Sequence, residues 1–267
     1  MVQREYNIVV DKLVARYGER TVLNGVDMKV RPREVRVILG GSGCGKSTLL
    51  KHIIGLATPA DGTVELLGVN LVEADEPEKD AVLSRIGMLF QGGALLNALT
   101  IHENVALPLV EKTNLPREVI DEMVAMKLAL VGLSHAHDLT PPELSGGMKK
   151  RAALARAMAM DPAVLFADEP SAGLDPITGA ALDELLISLK NQFNMSLVVV
   201  THELASVETI ADQITMLDKG HVIAEGTLDE VKATPHPMVQ SFFGRQGEGE
   251  AERRSVLQAF EDDGGAR

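Results

Sequence analysis

The stretch Val35-Arg36-Val37-Ile38-Leu39-Gly40-Gly41-Ser42-Gly43-Cys44-Gly45-Lys46-Ser47-Thr48-Leu49-Leu50 decides the fold. A short apolar run, Val35–Leu39, reads as a buried strand. It enters a glycine loop and then a helical pattern over Lys46–Gly55. Gly40-Gly41-Ser42-Gly43-Cys44-Gly45-Lys46-Ser47 fits G-x-x-x-x-G-K-[ST]. The glycines let the backbone wrap with its N–H groups inward and remove Cβ atoms that would keep phosphates away. The helix that follows presents its positive end to an anion, and Thr48 lies in its first turn. Lys46 supplies a point charge for β- and γ-phosphates, and Ser47 a hydroxyl for Mg²⁺. Cys44 lies within the loop, so its alkylation is expected to fill the cradle and block nucleotide access.

On either side of this stretch, β-rich runs alternate with helical ones. Strands are predicted over Val9–Ala15, Val22–Val30, Thr63–Leu67, Ile86–Phe90, Val164–Ala167 and Leu197–Val200. Helices are predicted over Ala152–Met160 and Ile177–Phe193, and over most of the stretch from Asn104 to Leu133. In that last stretch Pro116 suits a first helical turn, and Val119, Met123, Met126 and Leu130 recur on one face. Thr227-Leu228-Asp229-Glu230 is a capping box opening a late helix. The alternation predicts an α/β fold with a parallel sheet covered by helices.

The composition narrows the function classes. The 267 residues are 45% hydrophobic and 24% charged, as in a folded globular protein. A net charge of −12 argues against nucleic-acid binding through the overall field. Aromatic content of 3%, with no Trp, argues against stacking platforms for single strands. No apolar run is long enough to cross a bilayer, and residues 1–6 show no secretion signal. The single Cys44 rules out an intrachain disulfide or a multi-cysteine metal site, and suits a reducing cytosol.

Two further elements carry chemistry. Val164-Leu165-Phe166-Ala167-Asp168-Glu169 is an apolar strand ending in two acids. Asp168 suits a Mg²⁺ held beside phosphates, and Glu169 suits polarisation of an attacking water. Leu144-Ser145-Gly146-Gly147-Met148 opens a helix and offers a second anion site through Ser145 and the glycine amides.

With these elements in this order, the chain over about residues 6–243 resembles the nucleotide-binding subunit of ABC transporters. Residues 40–47 match the Walker A loop, Asp168 and Glu169 the Walker B end, and Ser145-Gly146-Gly147 the signature loop. Gln91, after Gly87-Met88-Leu89-Phe90, matches the Q-loop. Ser171-Ala172-Gly173-Leu174-Asp175 matches the D-loop. His202, after Val198-Val199-Val200-Thr201, matches the switch histidine, and Tyr17 the aromatic that stacks on adenine. The resemblance implies a P-loop NTPase of the ABC type: a RecA-like core, an antiparallel β subdomain and an inserted α-helical subdomain, at about 92–160. It implies a head-to-tail dimer with ATP between the cradle of one copy and the signature loop of the other. His202 would contact the γ-phosphate, Asp175 and Tyr17 would face nucleotide, and Gln91 would sense metal, water and a membrane partner.

Met148 stands where the most common signature has Gln. That substitution, and Phe90-Gln91-Gly92-Gly93-Ala94-Leu95, Glu103-Asn104-Val105-Ala106-Leu107-Pro108-Leu109 and Met148–Ala157, are similar to the Mla-type branch. The branch implies phospholipid cargo, a permease, a substrate-binding subunit, a small regulatory subunit and a place on the cytoplasmic face of a bacterial inner membrane. The motifs leave open an ATPase for another transporter, as in lipoprotein release or solute uptake. A soluble ABC-type ATPase is disfavoured by the single cassette, the acidic balance and the lack of a heptad arm. Residues 244–267 are acidic and Gly-rich, and are expected to be largely mobile on their own. Val256, Leu257 and Phe260 offer a short helix that would dock on a partner.

Overall fold

The computed structural model describes residues 4–244, so the expectations for Val256, Leu257 and Phe260 lie outside the described residues. Two sheets organise the chain. The first is antiparallel, in the order β2(Arg20–Val30), β1(Ile8–Tyr17), β4(Asp61–Leu66), β5(Val69–Asn70). The second has the order β10(His221–Gly226), β9(Gln213–Asp218), β3(Val35–Gly40), β8(Ser196–Val200), β7(Val164–Asp168), β6(Ile86–Leu89). It is parallel from β9 to β6, with β10 antiparallel at its edge.

The helices are α1(Lys46–Ile53), α2(Glu76–Leu83), α3(Ile101–Lys112), α4(Arg117–Leu130), α5(Gly146–Ala157), α6(Pro176–Phe193), α7(Leu204–Ile210) and α8(Leu228–Lys232). Helix α1 lies between the two sheets. Helices α3, α4 and α5 pack on one another between β6 and β7 of the chain.

The parallel strands β3, β7 and β8 are mostly apolar because both their faces are covered. Ile38, Val164, Phe166, Val198 and Val200 join α1 and the antiparallel sheet in one core. Their alternate neighbours Val37, Leu39, Leu165, Ala167, Leu197 and Val199 join the helices in a second. Period-two side-chain alternation thus sorts each strand between two cores.

Most predicted elements are present with ends shifted by a few residues. The expected long helical stretch is two helices, α3 and α4, separated at Thr113–Pro116. Pro116 is the residue just before α4, with ψ 149°, rather than within its first turn. The expected apolar face of α4 is displaced. Ile120, Val124 and Leu128 are buried against the helical bundle, with the stem of Lys127, while Val119 and Met126 are exposed. Two adjacent apolar stripes run along this helix, and packing against α3 and α5 selects one. Strands β9 and β10 and helices α2 and α7 were not anticipated. The capping box at Thr227 does open α8, with Glu230 N–H donating to Thr227 Oγ1 and Thr227 N–H to Glu230 Oε2.

Candidate nucleotide site

The site lies beyond the carboxyl ends of the central parallel strands, where open α/β sheets place their ligands. Strand β3 ends in the loop 40–45, β7 in Asp168, β8 just before His202, and β6 just before Gln91. Register aligns Ile38 and Asp168 with Val200. Strands β7 and β8 therefore stop level and β3 runs two residues further, so the residues that follow these strands share one edge.

The loop itself depends on two glycines. Gly40 has φ 148°, and a Cβ there would sit 2.3 Å from the Leu217 carbonyl oxygen. Gly45 has φ 115° and precedes α1; its Cβ would meet Leu23 at 2.6 Å. Gly41, Ser42 and Gly43 are exposed. Lys46 Nζ donates to the carbonyls of Gly40 (2.8 Å) and Gly41 (3.1 Å), so the ammonium lies against the loop. Ser47 and Thr48 occupy the first turn of α1. Cys44 is buried in the core beneath the loop, and burial raises its thiol pKa. A buried, protonated thiol reacts slowly with alkylating agents. The β1–β2 hairpin approaches the loop through Val22 and Leu23, which contact Gly45. Tyr17, at the head of that hairpin, is 53% exposed and free to offer its ring to a base.

The carboxylates are set by the backbone. Glu169 takes φ 48°, a left-handed conformation that costs a non-glycine residue about 1–3 kcal/mol. Its N–H donates to the Val200 carbonyl at 2.8 Å, which ties the turn to β8. Its Oε1 lies 2.8 Å from His202 Nδ1, while Oε2 is buried without a partner. An acid with one oxygen held and one unsatisfied is arranged to receive a further donor, such as a water. Burial raises the pKa of Asp168, and the charge of Glu169 adds to this, against the opposing pull of Lys46 and Lys150. A cation beside Asp168 would relieve that cost.

Among the described residues no group of three or more His, Cys, Asp or Glu side chains gathers to hold a metal. Mg²⁺ is ordinarily held by one or two carboxylates together with substrate phosphates. Ser47 and Asp168 offer that donor set, so the residues fit Mg²⁺ delivered with a nucleotide. The side chain of Gln91 is exposed and free of hydrogen bonds among the described residues.

No hydrogen bond among the described residues joins Ser145, Gly146 or Gly147 to the loop at 40–47. Ser145 caps α5, accepting from Met148 N–H at 3.3 Å. Gly146 and Gly147 face Leu174 and Thr178, beside Asp175. Asp175 caps α6, and the Thr178 hydrogen bonds lower its pKa. Two residues that the sequence reading left unassigned hold the segment after β6. Lys150 Nζ donates to the Gln91 carbonyl, and Arg156 donates to the carbonyls of Gly93 (2.8 Å) and Ala94 (2.7 Å). Their only sequence signal was a basic residue on the inner side of a helix.

Residues 23–172 match the family described as ABC transporter. The chain is 38% identical over 242 residues to a Haemophilus influenzae protein named intermembrane phospholipid transport system ATP-binding protein MlaF, covering 91% of this chain and 92% of that one. It is 36% identical over 237 residues to a Mycobacterium tuberculosis protein named probable ribonucleotide transport ATP-binding protein mkl. That match covers 89% of this chain but only 66% of the mycobacterial protein's length. Among solved structures, a dimeric ATP-binding cassette in a post-hydrolysis state bound to ADP and Pi superposes with a TM-score of 0.76 at 31% identity, covering 83% of this chain and 98% of that one. With the loop, acids and histidine placed as described, the chain belongs to the ABC transporter family of ATP-binding subunits.

Proposed function

We propose that this chain binds and hydrolyses ATP as one of two identical subunits that drive a membrane permease, with phospholipid as the cargo. The observation that carries the ATPase reading is the convergence of loop 40–47, Asp168 and Glu169 at one sheet edge, with His202 2.8 Å from Glu169. Lys46 and the loop amides bind the phosphates, and Tyr17 stacks on the base. Mg²⁺, held by Ser47 and Asp168 with Gln91 nearby, would neutralise charge on the phosphate oxygens. Glu169 draws a proton from the attacking water, and His202 steadies that carboxylate.

The lack of any hydrogen bond between Ser145–Gly147 and the cradle, among the described residues, supports a composite site. A helix end that can receive an anion but makes no bond to its own loop suits a second copy, arranged head to tail. There its amides would stabilise charge developing on the transferred phosphoryl group. The dimeric solved cassette supports that assembly. The cargo reading rests on the MlaF likeness, and the mkl likeness supports nucleotide transport as a second reading. Among the described residues no helix is long and apolar enough to cross a membrane, so passage of cargo would fall to the permease. A substrate-binding subunit and a small regulatory subunit complete the proposed system at the cytoplasmic face of the inner membrane.

Two experiments test this. A Lys46→Ala chain mixed with a Ser145→Arg chain should regain partial turnover, because each mixed pair holds one intact site. No recovery while wild-type copies work would exclude the head-to-tail arrangement. Lipid extraction of the co-purified permease complex should yield phospholipid above the detergent background, and its absence would remove the cargo reading.

A further inference from the structure

Lys150 sits in the second turn of α5, within Met148-Lys149-Lys150-Arg151. Lys149 and Arg151 are more exposed, but Lys150 is only 8% exposed. A lysine is rarely buried unless its ammonium is satisfied. Here Nζ donates to two backbone carbonyls, Gln91 at 2.5 Å and Glu169 at 3.1 Å. These carbonyls follow the paired strands β6 and β7. One side chain of the helix that begins at Ser145 thus bridges the loop carrying Gln91 and the turn carrying Glu169.

The Glu169 turn needs such support. Its left-handed φ of 48° is held on one side by the N–H bond to Val200. On the other side, the bond from Lys150 holds its carbonyl. The direction of the Glu169 side chain follows from the peptide orientation between these two anchors. The loop after Gln91 is likewise fastened to the helices. Arg156 holds Gly93 and Ala94, and Asn104 exchanges hydrogen bonds with both Leu96 N–H and Leu96 carbonyl. Lys150 is the member of this set whose donor also reaches the backbone carbonyl of Glu169.

We infer that Lys150 is a positioning residue that ties the placement of Glu169 and Gln91 to the position of α5, so that seating the Ser145 end of α5 on an anion and aiming the carboxylate occur together. This rests on the reading of Glu169 as the base. Lys150 acts through backbone carbonyls and touches no reacting atom. The ammonium carries two donated bonds at once, which a guanidinium fork can reproduce, an amide can reproduce only in part, and a thioether cannot.

The test uses the full-length chain with Lys150→Met, Lys150→Gln and Lys150→Arg, each alone and with Glu169→Gln. Hydrolysis gives kcat and KM for Mg-ATP, a fluorescent ATP analogue gives binding, and a thermal melt checks folding. Misplacing a catalytic group by a fraction of an ångström to an ångström costs on the order of 10- to 100-fold. Met and Gln should therefore lower kcat at least ~10-fold while KM and binding stay within about 3-fold, and Arg should recover to within about 3-fold. In the Glu169→Gln background, Lys150→Met should add little, since both act on one group. Full kcat in Met and Gln, with Glu169→Gln inactive, overturns the role of Lys150 and leaves the base reading standing. Normal turnover in Glu169→Gln alone overturns the base reading instead. A loss seen only in KM or binding, or additive loss in the double variant, also overturns the proposal. Should Met fail to melt cooperatively, the Arg and Gln pair decides, and equal losses in the two overturn it.

Discussion

Replacing Glu169 by Gln should separate nucleotide binding from hydrolysis. Gln keeps the length and shape of the side chain and one oxygen that can accept from His202 Nδ1, now 2.8 Å from Oε1. The loop at 40–48 and its donors are untouched. What is lost is the basic oxygen, because Oε2, buried without a partner, becomes an amide nitrogen or its carbonyl counterpart. General-base help contributes ~10²–10⁴ in rate, about 3–5 kcal/mol of barrier. The geometry narrows that range. The Glu169 side chain is only 12% exposed, so bulk water is a poor substitute base, which argues against the smallest losses. His202 remains beside the site and can take part of the proton's charge, which argues against the largest. The expected fall in kcat is ~10²–10³, about 3–4 kcal/mol, with the dissociation constant for Mg-ATP within about 3-fold of wild type. Phosphate release at saturating Mg-ATP and titration with a fluorescent analogue measure the two quantities. Turnover within tenfold of wild type, or a loss accounted for by weaker binding, would refute this reasoning.

Gly40→Ala places a Cβ 2.3 Å from the Leu217 carbonyl at φ 148°, in the pairing of β3 with β9. Strain and overpacking should together cost about 2–4 kcal/mol, seen as roughly 5–15 °C off the thermal midpoint along with weakened ATP binding. Asp183 is buried on α6 with Oδ1 unpartnered, and burial raises its pKa while Ser206 opposes the rise and Glu203 adds to it. Folded protein then holds this proton to a higher pH than the unfolded chain. Its contribution to stability is full below the ordinary carboxylate value of 3.8 and is lost as pH rises through the raised one. Asp183→Asn, which cannot ionise, should therefore gain stability relative to wild type between pH 4 and 7, and denaturation midpoints across that range check it. Thr100 caps α3 in a reciprocal pair with Glu103, so Thr100→Ala should cost about 1 kcal/mol in urea unfolding.

How far each feature was legible follows from its range along the chain. The capping boxes at Asp75, Thr100, Thr140 and Thr227 each involve residues three apart, yet the sequence reading takes up only the last. Strands β9 and β10 went unread because Gln213–Asp218 mixes polar and apolar residues, and its place beside β3 is what buries it. The α4 face was misassigned by one position because Val119 and Ile120, like Met123 and Val124, are both apolar. Periodicity then allows two stripes, and contact with α3 and α5 chooses.

By itself the sequence determined the phosphate-binding loop, the alternation of strand and helix, and the acids at the end of β7. These depend on backbone sterics and short-range periodicity, which neighbouring residues set. Tertiary structure decided that Glu169 meets His202, that Cys44 lies in the core, and that Lys150 spans two loops. Those contacts join residues far apart in the chain, and they exist only because strand pairing and core burial bring the ends of β6, β7 and β8 to one edge.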